Sequence, residues 1–119
     1  MREGKRAMVE SLAGFNVQDG ELVSAVDLPV AVTAAPLRYT EGSWQSFLAS
    51  GLTTYFEGGH PTEGQWSVDD DGRFTSFWPP SYRATYEVTW LLSGGQVTGL
   101  QFADVRTGDR FHGHFQVNG

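Results

Sequence analysis

Cysteine is absent from the sequence. That excludes a disulfide framework and thiolate chemistry, and it fits a reducing cytoplasm, the location we expect. Long apolar runs are missing as well: none approaches the ~18 residues that read as a membrane span. The start, MREGKRAMVESLAG, is basic but no apolar stretch follows, so it does not read as a secretory signal. Basic residues are scarce, eight Lys and Arg against fourteen Asp and Glu, for a formal net charge of −6. They are scattered singly. A nucleic-acid groove or an anionic membrane surface needs them clustered, so neither partner is expected. Low-complexity tracts are also lacking, which argues against disorder.

The chain is rich instead in turn formers and large rings. Fifteen Gly and five Pro among 119 residues, with 39% hydrophobic residues, predict one domain over 1–119 with many turns and a real core. A short helix is expected around Lys5 to Leu12, where Met8, Val9 and Leu12 share a face. Residues 1–20 would then be a helix or arm covering something larger. After it come extended segments: ELVSAV, VAVTA, LRYT, SWQSFLA, LTTYFE, GQWSV, RFTSFW, YRATYEVTWLL, QVTGLQFADV and RFHGHFQV. The breaks between them, among them GGHP, DDDG, PP, SGG and TGD, hold the residues that turns demand. The fold class is therefore all-β: an antiparallel up-and-down meander, closed as a barrel or stacked as a sandwich, with a small barrel as the leading expectation.

Alternation supports the strands. In YRATYEVTWLL, Tyr82, Ala84, Tyr86, Val88, Trp90 and Leu92 share one face, and Arg83, Thr85, Glu87, Thr89 and Leu91 the other. In RFHGHFQV, Phe111, Gly113, Phe115 and Val117 oppose His112, His114 and Gln116. Pro79-Pro80 cannot donate to a ladder, so WPPSY reads as a corner at a sheet rim with Trp78 and Tyr82 beside an open end. His112 and His114 read as solvent-facing, as an acid/base pair, or as two metal ligands lacking a third at a telling spacing; no metal site is assigned. DDDG reads as a charged hairpin tip rather than a calcium loop.

Two Gly-x-Trp triplets, Gly42-Ser43-Trp44 and Gly64-Gln65-Trp66, look like those of lipocalins and other calycin barrels. Residues 37–115 resemble the bacterial phenolic acid decarboxylases. The likeness rests on Leu37 to Thr40, Trp44, Tyr55, Gly58-Gly59, Gly64 to Trp66, Tyr86 to Trp90, Leu100 to Phe102 and His112-Gly113. The resemblance implies a barrel whose interior holds two Tyr, an Arg and a Glu around a hydroxycinnamate. Tyr39 matches one tyrosine. Gln65 and Arg83 stand where that family has its Arg and Glu, so the same decarboxylation is not expected.

The two arguments disagree about which face of 82–92 turns inward. Apolar burial puts Tyr86, Val88 and Trp90 inside, whereas the resemblance puts Arg83, Thr85 and Glu87 there. Both faces would be covered if the N-terminal segment or a second copy in a homodimer lay over the outside. The leading functional expectation is a cofactor-free lyase, isomerase or cyclase acting on a small aromatic or polyketide-like molecule. Tyr39, Arg83, Glu87 and His114 would be its polar groups, and Tyr55, Trp66, Trp78 and Trp90 its walls. The alternatives are a carrier or sensor for a small apolar or aromatic ligand, and a packed interaction domain.

Overall fold

The computed structural model describes residues 10–117. Eight strands follow one another in chain order, each antiparallel to the last, and close into a barrel. They are β1 (Leu37–Tyr39), β2 (Trp44–Phe47), β3 (Leu52–Glu57), β4 (His60–Val68), β5 (Phe74–Trp78), β6 (Tyr82–Ser93), β7 (Gln96–Asp104) and β8 (Arg110–Phe115). Closure is made by β8 on β1, with Leu37 opposite Phe115 and Tyr39 opposite Gly113. The up-and-down barrel expected from the turn-bounded segments is the observed fold.

Closure settles the face question. Residues directly opposite in an antiparallel pair point to the same side of the sheet. Tyr39 faces Gly113, Gly113 faces Leu100, and Leu100 faces Trp90, so these four form one row across β1, β8, β7 and β6. All four are buried. The inner face of β6 is thus the even one: Ala84, Val88 and Trp90 are buried, and Arg83 and Glu87 are exposed. The odd-face alternative, taken from the resemblance, is corrected here. Apolar burial decides, and the outer charges find partners on the outer wall. The Arg83 guanidinium lies 4.3 Å from the Phe77 ring centroid, and Glu87 sits 3.7 Å from Arg73.

The segment before β1 shuts one end. VAVTA, expected to be extended, lies instead in α1 (Leu28–Thr33). Pro29 is in its first turn, where the missing N–H is tolerated, and Leu28, Ala31 and Val32 are buried on one side. Burial of that stripe outweighs the strand preference of Val and Thr. ELVSAV touches the sheet through a bridge between Leu22 and Thr89. It does so because β6 has 12 residues and β5 only 5. Pairing between them runs from Trp78–Tyr82 to Phe74–Tyr86, so β6 continues past the end of its neighbour. The N–H groups of Gly20 and Val23 donate to Trp90 O and Val88 O, each at 2.8 Å, and Trp90 N–H donates to Glu21 O at 2.9 Å. The strap thereby completes a ladder that would otherwise end in orphaned groups. Of the helix expected at Lys5 to Leu12, only a 3₁₀ turn, Glu10–Leu12, falls within the described residues; the rest lies outside them.

Leu12, Val23, Leu28 and Val32 join Phe47, Trp66, Phe74, Val88 and Trp90 in one core cluster. Phe15 adds a ring 5.3 Å from Trp90. The β1–β2, β3–β4, β5–β6 and β7–β8 connections lie together at the opposite end, with Pro79-Pro80, joined by a cis peptide, in the third of them.

Trp90→Ala should cost about 3–5 kcal/mol in denaturant unfolding, as a fully buried ring does. Arg83→Ala, on the outer wall, should cost about 1 kcal/mol or less. A Trp90 variant as stable as the parent would contradict the inward even face.

Candidate functional site

Beyond the packed half the barrel is hollow. A cavity of about 560 Å³ opens between the loops, lined by Tyr39, Thr40, Glu41, Gln45, Tyr55, Trp78, Tyr86, Arg110, Phe111 and His112. Its size suits a small organic molecule. Two inner glycines shape it. A Cβ on Gly113 would come within 2.9 Å of the Tyr39 ring. One on Gly64 would come within 2.5 Å of the Trp78 ring and 2.7 Å of the Phe77 carbonyl. At each place the missing side chain leaves room for an aromatic ring of the cup.

The rings form a connected arc. Centroids lie 6.3 Å apart for Trp78 and Tyr55, 6.4 Å for Tyr55 and Tyr39, 5.3 Å for Tyr39 and Phe111, and 5.6 Å for Phe111 and Tyr86. Phe102, stacked 5.3 Å behind Phe111, joins the arc to the core below.

Two hydrogen-bond chains run from this arc into the wall, and their directions are fixed by their last acceptors. Thr53 Oγ1 donates to the carbonyl of Ser46 at 2.7 Å. Having spent its one proton, it accepts from Gln45 Nε2 at 2.8 Å. Gln45 Oε1 is then the atom turned to Tyr39, whose hydroxyl donates to it at 2.6 Å. The second chain ends on the Glu41 carboxylate, which can only accept. Ser43 Oγ donates to it at 2.6 Å, and Tyr55 OH donates to Ser43 Oγ at 3.0 Å. Gln45, Ser43 and Thr53 are buried, so these polar groups are paired where water does not reach them.

The phenols are held neutral. Burial pushes Tyr39 well above the ordinary tyrosine range, and nearby Tyr86, Tyr55 and Glu41 add to the effect. Burial likewise pushes Tyr86 up to about 12, with Tyr82 and Asp104 contributing and the Ser76 hydroxyl opposing. Tyr55 is raised by burial too, and the bond to Ser43 acts the other way. Asp104 is held low by the N–H groups of Arg106 and Thr107, which tie the β7–β8 turn.

Of the residues expected to line the barrel, Tyr39, Tyr55 and Trp78 meet at the cavity. Trp66 and Trp90 point inward but lie in the packed half. Trp66 Nε1 donates to Leu48 O at 2.9 Å, and Trp90 is 1% exposed. Arg83, Glu87 and His114 are exposed on the outer wall and do not come together with Tyr39. His112 is also on the outer face, bonded to Gln101 Oε1 at 2.8 Å, and reaches the cavity at its rim. Among the described residues no three His, Asp and Glu side chains gather as metal ligands would. No family model, curated protein or solved structure matches the chain. The site therefore stands on its geometry.

Glu41, Gln45, Tyr86, Arg110 and Phe111 were not among the expected site residues. Gln45 carries a readable signal, since it alternates with Phe47 on an inner face. Glu41 carries none: it is an acidic residue in a turn, and only the fold brings it to Ser43.

The folded chain keeps the Tyr86 proton above pH 10.0, the ordinary phenol value, up to about 12. The unfolded chain starts to release it near 10. Stability from this group is whole below pH ~10 and declines as pH rises through the window toward ~12. Denaturant melts across that window should show the decline, and Tyr86→Phe should make it shallower, with Tyr39 and Tyr55, also raised by burial, keeping the remainder. An unchanged slope in Tyr86→Phe would contradict the burial of this phenol.

Proposed function

We propose that the barrel binds a small planar aromatic or apolar molecule in its open end. One observation carries this reading: an unfilled cavity walled by a continuous arc of rings, above a half that is fully packed. Rings offer broad contact at small conformational cost. The neutral phenols and paired wall groups mean that little polar surface is stripped of water when a ligand enters.

Carrier or sensor function follows most directly, because Arg83, Glu87 and His114, the acid/base groups expected from the sequence, lie outside the cup. A cofactor-free lyase, isomerase or cyclase is the second reading. It is favoured by the Tyr55–Ser43–Glu41 chain, which places a carboxylate backed by two hydroxyls at the cavity. Incubation with a panel of phenolic acids and polyketide-like enones, read by mass spectrometry, separates the two. Under the carrier reading compounds are retained unchanged, whereas product formation selects the catalytic one. p-Coumarate should keep its carboxylate, because Gln65 and Arg83 are both exposed outside the barrel. Rapid release of CO₂ from it would contradict this assignment.

Trp78 tests the cup itself. It is half-buried and lines the cavity. Trp78→Ala should weaken binding of an aromatic probe such as 2-naphthol by about 1–3 kcal/mol, the contribution of one large apolar contact. The thermal midpoint should change little. A large fall in thermal midpoint with affinity unchanged would mean that Trp78 is core and the cup is not a binding site.

A further inference from the structure

The polar groups of the cup are unevenly divided between donors and acceptors. The protons of Tyr39 and Tyr55 are turned into the wall, toward Gln45 Oε1 and Ser43 Oγ. The acceptors that end the two chains, Ser46 O and the Glu41 carboxylate, set these directions. A ligand therefore meets the lone pairs of these two phenols, the surrounding rings and a carboxylate, with the Thr40 and Tyr86 hydroxyls and, at the rim, Arg110 and His112 as the remaining polar groups. Glu41 is exposed and accepts from Ser43 Oγ, which is itself buried.

Three of the four neighbouring pairs in the arc are steeply inclined, at 84° for Tyr39 and Phe111, 83° for Phe111 and Tyr86, and 70° for Tyr55 and Trp78, and the fourth, Tyr39 and Tyr55, is tilted at 38°. Walls at such angles surround a guest on several sides, and the face of each ring carries negative charge density. The chain as a whole has a net charge of −6, which draws cations toward the opening. Arg110 is the opposing charge. It belongs to the outer row of β8 with His112 and His114, is exposed, and meets the cavity at the rim only.

We propose that the cup selects an organic ammonium with an aromatic or apolar body, its N–H groups on the Glu41 carboxylate and its charge among the faces of Tyr39, Tyr55, Trp78, Tyr86 and Phe111. This rests on the reading of the cup as a ligand site and specifies its ligand class. An ammonium has donors and no acceptor, the complement of what the wall presents. Its attraction to ring faces strengthens as water is excluded. A carboxylate ligand would find few donors and would face Glu41.

Three probes with one naphthalene body separate charge from shape: 2-naphthylmethylamine, 2-naphthylmethanol and 2-naphthoate, each titrated calorimetrically near neutral pH. The amine should bind about five- to tenfold more tightly than the alcohol, the gain expected from cation–π contact together with an exposed carboxylate at the rim of the cup. The naphthoate should bind most weakly. Glu41→Gln should weaken the amine several-fold, to a residual preference set by the rings alone, and change the alcohol much less. Arg110→Gln should strengthen the amine. Equal or tighter binding of the alcohol or the naphthoate would overturn the ammonium assignment while leaving the cup intact as a site. So would an amine preference undiminished by Glu41→Gln. Failure of all three to bind would overturn the binding reading together with the assignment.

Discussion

The pairing of β8 with β1 is the constraint on which the remaining geometry depends. Once Tyr39 lies opposite Gly113 and Leu37 opposite Phe115, each strand around the ring has only one face available to the interior. Side chains alternate with a period of two, so a slip of one residue would exchange the whole set. On β6 it would replace Tyr86, Val88 and Trp90 with Thr85, Glu87 and Thr89. One carboxylate and two hydroxyl groups would then be buried, Glu87 and Thr89 without the Arg73 and Gln101 partners they have outside, and the core would lose a fully buried Trp. The cost of burying such groups far exceeds any gain from a different ring arrangement. Closure and apolar burial thus select the same register.

Strand lengths divide the interior in two. The extension of β6 beyond β5 leaves backbone groups that the strap from Gly20 to Val23 satisfies. That strap carries α1 and the Glu10–Leu12 turn to the same end, where Leu12, Leu28 and Val32 complete the core. No comparable segment covers the other end among the described residues. There the inner positions hold Gly64 and Gly113, and the space they leave is taken by the rings of Trp78 and Tyr39. A packed floor and an open cup follow from one chain path, and the wall between them is fixed by the Tyr39–Gln45–Thr53 and Tyr55–Ser43–Glu41 chains.

Much of the fold was legible in the sequence because alternation and turn chemistry are local. The alternation of YRATYEVTWLL and of Phe111–Gly113–Phe115 could be read directly, as could the corner at Pro79-Pro80, whereas the inward face of 82–92 was decided only by closure of the barrel. VAVTA misled because its β-branched residues favour a strand, and only the burial of Leu28, Ala31 and Val32 against the barrel makes it a helix. The site was partly legible. Tyr39, Tyr55 and Trp78 were recoverable from ring type and position. Trp66 and Trp90 have the same chemistry, but ring type does not say how deep along the barrel a residue sits. Arg83, Glu87 and His114 were chosen as polar groups near the expected cavity, and all three lie on the opposite side of the sheet. Glu41 acquires its place through tertiary contact with Ser43 and Tyr55, which no local pattern encodes.

The four tryptophans report on this division independently. In ¹⁵N-labelled protein, each indole N–H gives its own resonance, and titration with 2-naphthol maps where an aromatic guest sits. The Trp78 resonance should shift, while those of Trp66, bonded to Leu48 O, and Trp90, sealed beneath the strap, should stay in place. A shift at Trp66 or Trp90 with Trp78 unmoved would contradict the account of a closed core below and a binding cup above.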